Sequence, residues 1–287
     1  MSVNKQVWTG RVVDQLAKQA DDSWMKLIRD DSDLVENEVI HISKILNRPN
    51  VLLNHNGSYP KAQLQDEDIP INLERWDTEN TNVKDEELDT VSYPKIDKVT
   101  ENHRIALHNY RLDRSAFNCA PQTNGAFTPV IAGLAGTPTI LNYIKSAKKK
   151  CDDMEMDEEG RIMILSSDNL NEIFDLDNKF HDRYYDSIAG KVVARLFGFQ
   201  IFSTTRTPLY DTTNNTKASF GAVATSSHTK ATLFFHKDAL FKAIGKTKVY
   251  VSKSDNDPIE RETVMGLRQR GILRPIMLDF GFGAIIK

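Results

Sequence analysis

A mixed α+β fold is predicted by three observations on this 287-residue sequence. A helix with a marked start and one apolar face stands near the middle of the chain. The C-terminal third reads as strands, and strands come in clusters with few strict βαβ repeats. Before both, a long polar excursion from Val39 to Val83 opens and closes on short apolar strands.

In chain order, Val7 to Ile28 reads as a helical arm, with apolar positions at Val12, Val13, Leu16, Ala17, Trp24, Leu27 and Ile28. The excursion begins as the strand Val39-Ile40-His41-Ile42 and ends as Ile69-Pro70-Ile71-Asn72-Leu73. Between them, Asn47 to Asp68 is rich in Asn, Pro, Gly, Gln and acids. Pro94 marks a boundary before a helix over Asp97 to Phe117, with apolar residues recurring at helical spacing along two of its sides. Asn118 to Gly136 is a loop. In the marked helix, Thr137 is the expected N-cap and Pro138 the first helical position. Ile140, Ile144, Ala147 and Cys151 share one face, which makes Cys151 a core residue.

Glu159-Gly160 turns the chain into a buried strand, Ile162 to Leu165, and a second helix runs from about Asp168, frays toward Tyr185 and is broken at Gly190. Gly198 turns the chain into a strand at Phe199 to Phe202. Tyr210 to Lys217 reads as a flexible tip. Ala231 to Phe235 is a strand, Lys237 to Ile244 a short helix and Val249 to Val251 a strand. Two strands, Glu262 to Arg270 and Ile272 to Ile286, close the chain with Gly271 between them.

The excursion is the informative element. A two-stranded hairpin alone is marginal in water, and a long loop inside a compact domain is functional or disordered. Ordering its roughly 45 residues costs about 1–2 kcal/mol each. Offsetting that requires nearly 2,000 Å² or more of apolar burial at about 25 cal/mol per Å². The tract holds too few apolar residues for this, so order there has to come from outside the subunit. Candidate inter-subunit contacts are Ile40, Ile42, Ile71, Leu73 and Trp76. Trp76 is either an interface anchor or a locally packed ring.

Composition narrows the class. With 37 basic against 40 acidic residues, the net charge of −3 gives no global footprint for nucleic acid or membrane. Cys119 and Cys151 have no metal-binding spacing and make no disulfide framework, which fits a reduced, cytosolic site of synthesis. The first ten residues lack the apolar stretch of a signal peptide, and no apolar run is long enough to span a bilayer.

No catalytic or metal constellation emerges. His103 and His108 are five apart, one too many for a helical metal pair. The acidic run Asp152 to Glu159 lacks the glycine and terminal carboxylate of a calcium loop. Ser166-Ser167 has no nucleophile elbow, and Gly281-Phe282-Gly283 opens no helix as a dinucleotide motif would. Lys145, Lys148, Lys149 and Lys150 cluster near a helix C-terminus, where cations complement the dipole. That reading is preferred over phosphate contact, for which Lys145, Lys148 and Lys149 are the candidates. No enzyme and no cofactor are predicted.

Three stretches give this layout a resemblance. Lys148 to Ile173 (KKKCDDMEMDEEGRIMILSSDNLNEI), Ile188 to Pro208 (IAGKVVARLFGFQIFSTTRTP) and Ala231 to Ala243 (ATLFFHKDALFKA) resemble segments of the major capsid proteins of tailed double-stranded DNA bacteriophages. These have the Hong Kong 97-type fold, and the third stretch is similar to the family's strand-to-helix joint. The order of arm, extended hairpin and long helix agrees as well.

The resemblance implies an N-terminal arm (1–38), an extended hairpin or E-loop (39–83), a spine helix opening the peripheral domain (84–136), an axial domain (137–235) and a return to the peripheral domain (236–287). It further implies hexamers and pentamers of the chain in an icosahedral shell around packaged double-stranded DNA, assembled in a bacterial cytoplasm. Portal, scaffold or decoration proteins are possible partners, and a membrane is not one. The alternatives are an encapsulin-type nanocompartment shell with the same fold, or a soluble α+β enzyme whose site is not visible.

Overall fold

The computed structural model describes residues 22–35, 38–45, 50–59, 61, 66–84, 95–177, 179–184, 194–253, 259–276 and 281–287. The chain enters through one helical turn, α1 (Ser23–Lys26), and a short strand, β1 (Arg29–Asp30). Most of the predicted arm, including Val12, Val13, Leu16 and Ala17, lies outside the described residues. β2 (Val39–Ile45) and β3 (Asp66–Asn72) make an antiparallel hairpin in which Ile40 faces Ile71. β4 (Glu74–Asp77) and β5 (Thr81–Lys84) follow. The helix α2 (Lys95–Asn118) has 24 residues and is therefore about 36 Å long.

After β6 (Val130–Ile131), α3 (Ile140–Asp153) begins with Thr139 as its N-cap. The predicted cap Thr137 and first helical residue Pro138 lie before it, and the first-turn amide of Ile140 is held by Glu172 Oε1 at 3.1 Å instead. β7 (Arg161–Leu165) leads into α4 (Ser167–Leu176), capped by the Ser166 hydroxyl, which accepts from the Asn169 amide at 3.4 Å. The helical continuation resumes over residues 179–184, and Gly190 lies outside the described residues. The rest of the chain is strands: β8 (Arg195–Leu196), β9 (Phe199–Ser203), β10 (Leu209–Asp211), β11 (Thr216–Lys217), β12 (His228–Lys230), β13 (Thr232–His236), β14 (Leu240–Ile244), β15 (Lys248–Ser252), β16 (Glu262–Pro275) and β17 (Phe282–Ile285).

One six-stranded sheet has the order β6-β17-β13-β7-β9-β8 and is covered on both faces. Period-two alternation sorts its side chains into two cores. Ile162, Ile164, Leu233, Phe235 and Ala284 join Trp24, Leu112, Ala116 and Cys119 on one side. Met163, Leu165, Phe234 and Ile285 meet Ile140, Ile144, Ala147 and Cys151 of α3 on the other. The Gly281-Phe282-Gly283 motif is absorbed here: a Cβ on Gly283 would lie 2.3 Å from the Phe234 ring.

The second sheet is organised by β16. β14 and β15 pair along one edge, and β4 and β5 along the other, with β1 parallel to β14. Three expectations fail in this region. Lys237 to Ile244 is a 3-10 turn (Lys237–Ala239) followed by a strand, not a helix. Its Lys, Ala and Leu content suits a helix, but tertiary pairing wins, because the extended form buries Leu240, Phe241 and Ala243 while donating to two neighbouring strands.

Gly271 does not divide two strands, since β16 runs straight through it. The missing side chain makes room for Trp76, whose ring carbons would lie 3.0 Å from a Cβ there. The last strand, β17, leaves this sheet and pairs with β13 and β6, so the closing strands do not return together as expected. Finally, the predicted flexible tip Tyr210 to Lys217 belongs to a three-stranded sheet, β11-β10-β12, and Tyr210 is fully buried with its hydroxyl donating to the Pro121 carbonyl.

Phe241→Ala removes a fully buried ring under the hairpin base and is expected to lower unfolding free energy by about 3–5 kcal/mol, measured by urea denaturation. Both cysteines are fully buried, and burial pushes the Cys119 thiol well above its ordinary range and the Cys151 thiol up to about 12. A thiol reagent is therefore expected to label neither at pH 8 until denaturant is added.

Candidate assembly and nucleic-acid surfaces

The base of the hairpin belongs to its own subunit. Ile40, Ile71 and Leu73 are buried with Phe241, Ala243 and Ile272, and the Leu73 amide donates to the Glu38 carbonyl at 3.0 Å. Trp76 packs between Leu107 of α2 and Leu267 of β16. Its ring lies edge-on to Tyr110, centroids 6.4 Å apart, and its Nε1 donates to Glu74 at 3.2 Å.

These four residues, expected as contacts to a neighbour, are thus anchors within the chain. The side chain of Ile42 lies outside the described residues. β14 and β16, which cover these side chains, lie some two hundred residues further on, and local periodicity carries no sign of them.

Glu74 completes the anchor. It takes Arg114 Nη2 at 2.8 Å on one oxygen and Arg114 Nε at 2.9 Å on the other. Burial alone raises its carboxyl, but hydrogen bonds from Arg114 and Trp76, the Arg114 charge and Asn118 outweigh that and hold it below the usual range. Arg114 in turn lies over the Phe220 ring at 5.1 Å. A bidentate, partly desolvated pair of this kind fixes orientation as well as charge, here of β4 against α2.

Beyond the anchors the hairpin projects. His41 Nδ1 and Asp68 Oδ2 meet across its strands at 2.7 Å on the exposed surface. Toward the tip, Val51 is 98% exposed, Leu53 89% and Tyr59 72%, the last ring 5.1 Å from His55. A run of exposed apolar side chains marks an interaction site. The signal was present in the sequence as Val51-Leu52-Leu53, three apolar residues together inside a polar tract, and was hidden by the tract's average composition.

Lys145, Lys148 and Lys149 sit on the side of α3 away from its buried face. Lys145 is exposed with its Nζ 5.6 Å from the Phe197 ring centroid, and Lys149 is exposed. Lys148 donates to Asp152 at 2.8 Å, and the same carboxylate accepts from Arg161 at 2.7 Å. One of the three cations is therefore neutralised locally. Neither histidine singled out in α2 forms a metal pair. His103 is buried with its Nδ1 2.8 Å from the Thr78 hydroxyl, and His108 lies 3.2 Å from Arg111 Nη2. Among the described residues, no group of three or more His, Cys, Asp and Glu is placed to hold a metal ion. No described helix is long and apolar enough to cross a membrane.

The sequence matches no protein-family model and no curated protein. Solved structures do match. A chain of Mycobacterium phage Che8 superposes with a TM-score of 0.63 at 12% identity, covering 93% of this chain and 91% of that one. A chain in the capsid of Cyanophage P-SCSP1u gives 0.65 at 12% identity over 90% and 86%, and one in the capsid of Ralstonia phage GP4 gives 0.64 at 10% over 90% and 86%. At such identities the likeness is one of architecture, and it is end to end: the chain has the Hong Kong 97-type capsid fold.

Proposed function

We propose that this chain is the major capsid protein of a tailed double-stranded DNA phage, a structural subunit that closes into the icosahedral head. The observation that carries the reading is the length of the match. More than nine-tenths of the chain follows one phage structure. In this reading α2 and the sheet around β16 form the peripheral domain. The sheet of β7, β9 and β13, closed by β17, forms most of the axial domain.

Assembly works by mass action. Each subunit is held by contacts that exist only between copies, so the closed shell gains stability with subunit concentration. The hairpin tip supplies one such contact, its exposed Val51, Leu53 and Tyr59 covered by an adjoining copy in hexamers and pentamers. Lys145 and Lys149, with Lys148 partly neutralised, face the packaged genome through non-specific, salt-dependent phosphate contacts. Portal, scaffold or decoration proteins are compatible partners, and the host cytoplasm is the compartment in which such a head is put together.

Electron microscopy of material from infected or induced cells tests the class: DNA-filled heads support it, and small cargo-loaded shells or a catalytically active monomer overturn it. Replacing residues 46–65 with a two-residue Asn-Gly turn, which suits a hairpin, is expected to leave the subunit folded by circular dichroism and to abolish closed particles. Val51→Asp with Leu53→Asp is expected to change subunit stability by no more than about 0.5 kcal/mol per site while raising the concentration needed for assembly at least about tenfold, read by sedimentation. Normal assembly of either variant removes the tip from the mechanism.

A further inference from the structure

A cleft of about 530 Å³ opens where the C-terminal end of α2, β4, β11 and β16 converge. Three cationic side chains line it, Arg114, Lys217 and Arg274, against one carboxylate among the described residues, Glu74. Their partners leave the charge unbalanced. Arg114 spends Nε and Nη2 on Glu74. Lys217 donates to the Phe117 and Ala120 carbonyls at 3.0 and 2.6 Å, satisfying the orphan carbonyls at the helix end, and keeps one N–H.

Arg274 has nothing. Its Nε is sealed from solvent without an acceptor, and among the described residues its guanidinium forms no ion pair. A partly buried cation left unpaired is costly, and a planar fork of donors is the geometry that grips an oxyanion. Thr123 and Thr128 line the same cleft.

We propose that this cleft is an oxyanion-binding site, held chiefly by Arg274 with Lys217 and Arg114 in support, for a tetrahedral anion of the phosphate or sulfate class. The charge of Lys217 bears on it independently. Burial pushes its ammonium down to about 8, with the buried Cys119 opposing and Arg114 adding to the shift. Around it, Arg114 holds the Glu74 carboxyl below its usual range, and Glu74 in turn raises Arg114. Tyr210, whose hydroxyl caps the nearby Pro121 carbonyl, is pushed above its ordinary range. Lys217 is therefore the described lining residue that titrates near neutrality, and a bound anion loses one facing charge as pH rises through about 8.

The test uses the full-length subunit titrated with sulfate, whose charge is constant above neutrality, by calorimetry at fixed ionic strength. Saturable binding is expected. Arg274→Gln is expected to weaken it at least about tenfold, the weight of a charge-assisted hydrogen bond. Lys179→Gln, the same charge removed at an exposed position outside the cleft, is expected to leave it unchanged. If Arg274→Gln does not fold, the wild-type pH profile decides, with affinity falling several-fold between pH 7 and 9. The proposal is overturned by absence of saturation, by equal losses in both variants, or by a flat pH profile. Because the readout is on the isolated subunit, these outcomes do not depend on shell formation.

Discussion

Strand β16 offers hydrogen bonds on both edges along fourteen residues, and four separate pieces of chain depend on them. Its first half is flanked by β15 and β5, and its second half by β14 and β4, so neither edge is left as a template for unwanted pairing. Gly271 sits where the two halves meet. Only a residue without a side chain lets the Trp76 indole lie across the strand there, and Trp76 is what ties β4 to α2 through Leu107 and Leu267. The root of the hairpin, the helix and the central strand are thus fixed by one crossing of an indole over a glycine.

From that crossing the architecture divides. The middle of α2 rests on the β16 sheet through Leu107, while Leu112 and Ala116 reach the core beneath β7 and β13. One helix about 36 Å long therefore belongs to both cores. Beyond Ile69, which still packs on the Phe241 cluster, the regular pairing of the hairpin among the described residues is between its own two strands. A long lever on a firm root, with apolar side chains at its far end, is suited to reaching a surface the subunit does not possess.

Electrostatics follow the same division. Where elements must be oriented, charges are paired and desolvated, as in Glu74 with Arg114. On the outer side of α3 they are left in water, where screening keeps contacts weak and non-specific. The Arg274 cleft departs from that division: among the described residues its Nε, like that of Arg111 in α2, is sealed from solvent without an acceptor. Exceptions to the pairing of buried charge are where a ligand is worth looking for.

The α+β class, the long helix, the apolar face of α3, the buried β7 and the order of the segments were legible in the sequence, because each is written in the spacing of neighbouring residues. So was the burial of Cys151, which follows from its place on the Ile140 face. Tertiary structure alone decided that Leu240–Ile244 is extended, that Gly271 lies inside a strand, that Tyr210 is buried, and that Ile40, Ile71, Leu73 and Trp76 face inward. In each case the deciding partner is remote in sequence, and periodicity reports a side chain's face but not what covers it. A helix propensity worth a few tenths of a kcal/mol per residue gives way when two strands stand ready to pair and an apolar core is there to fill.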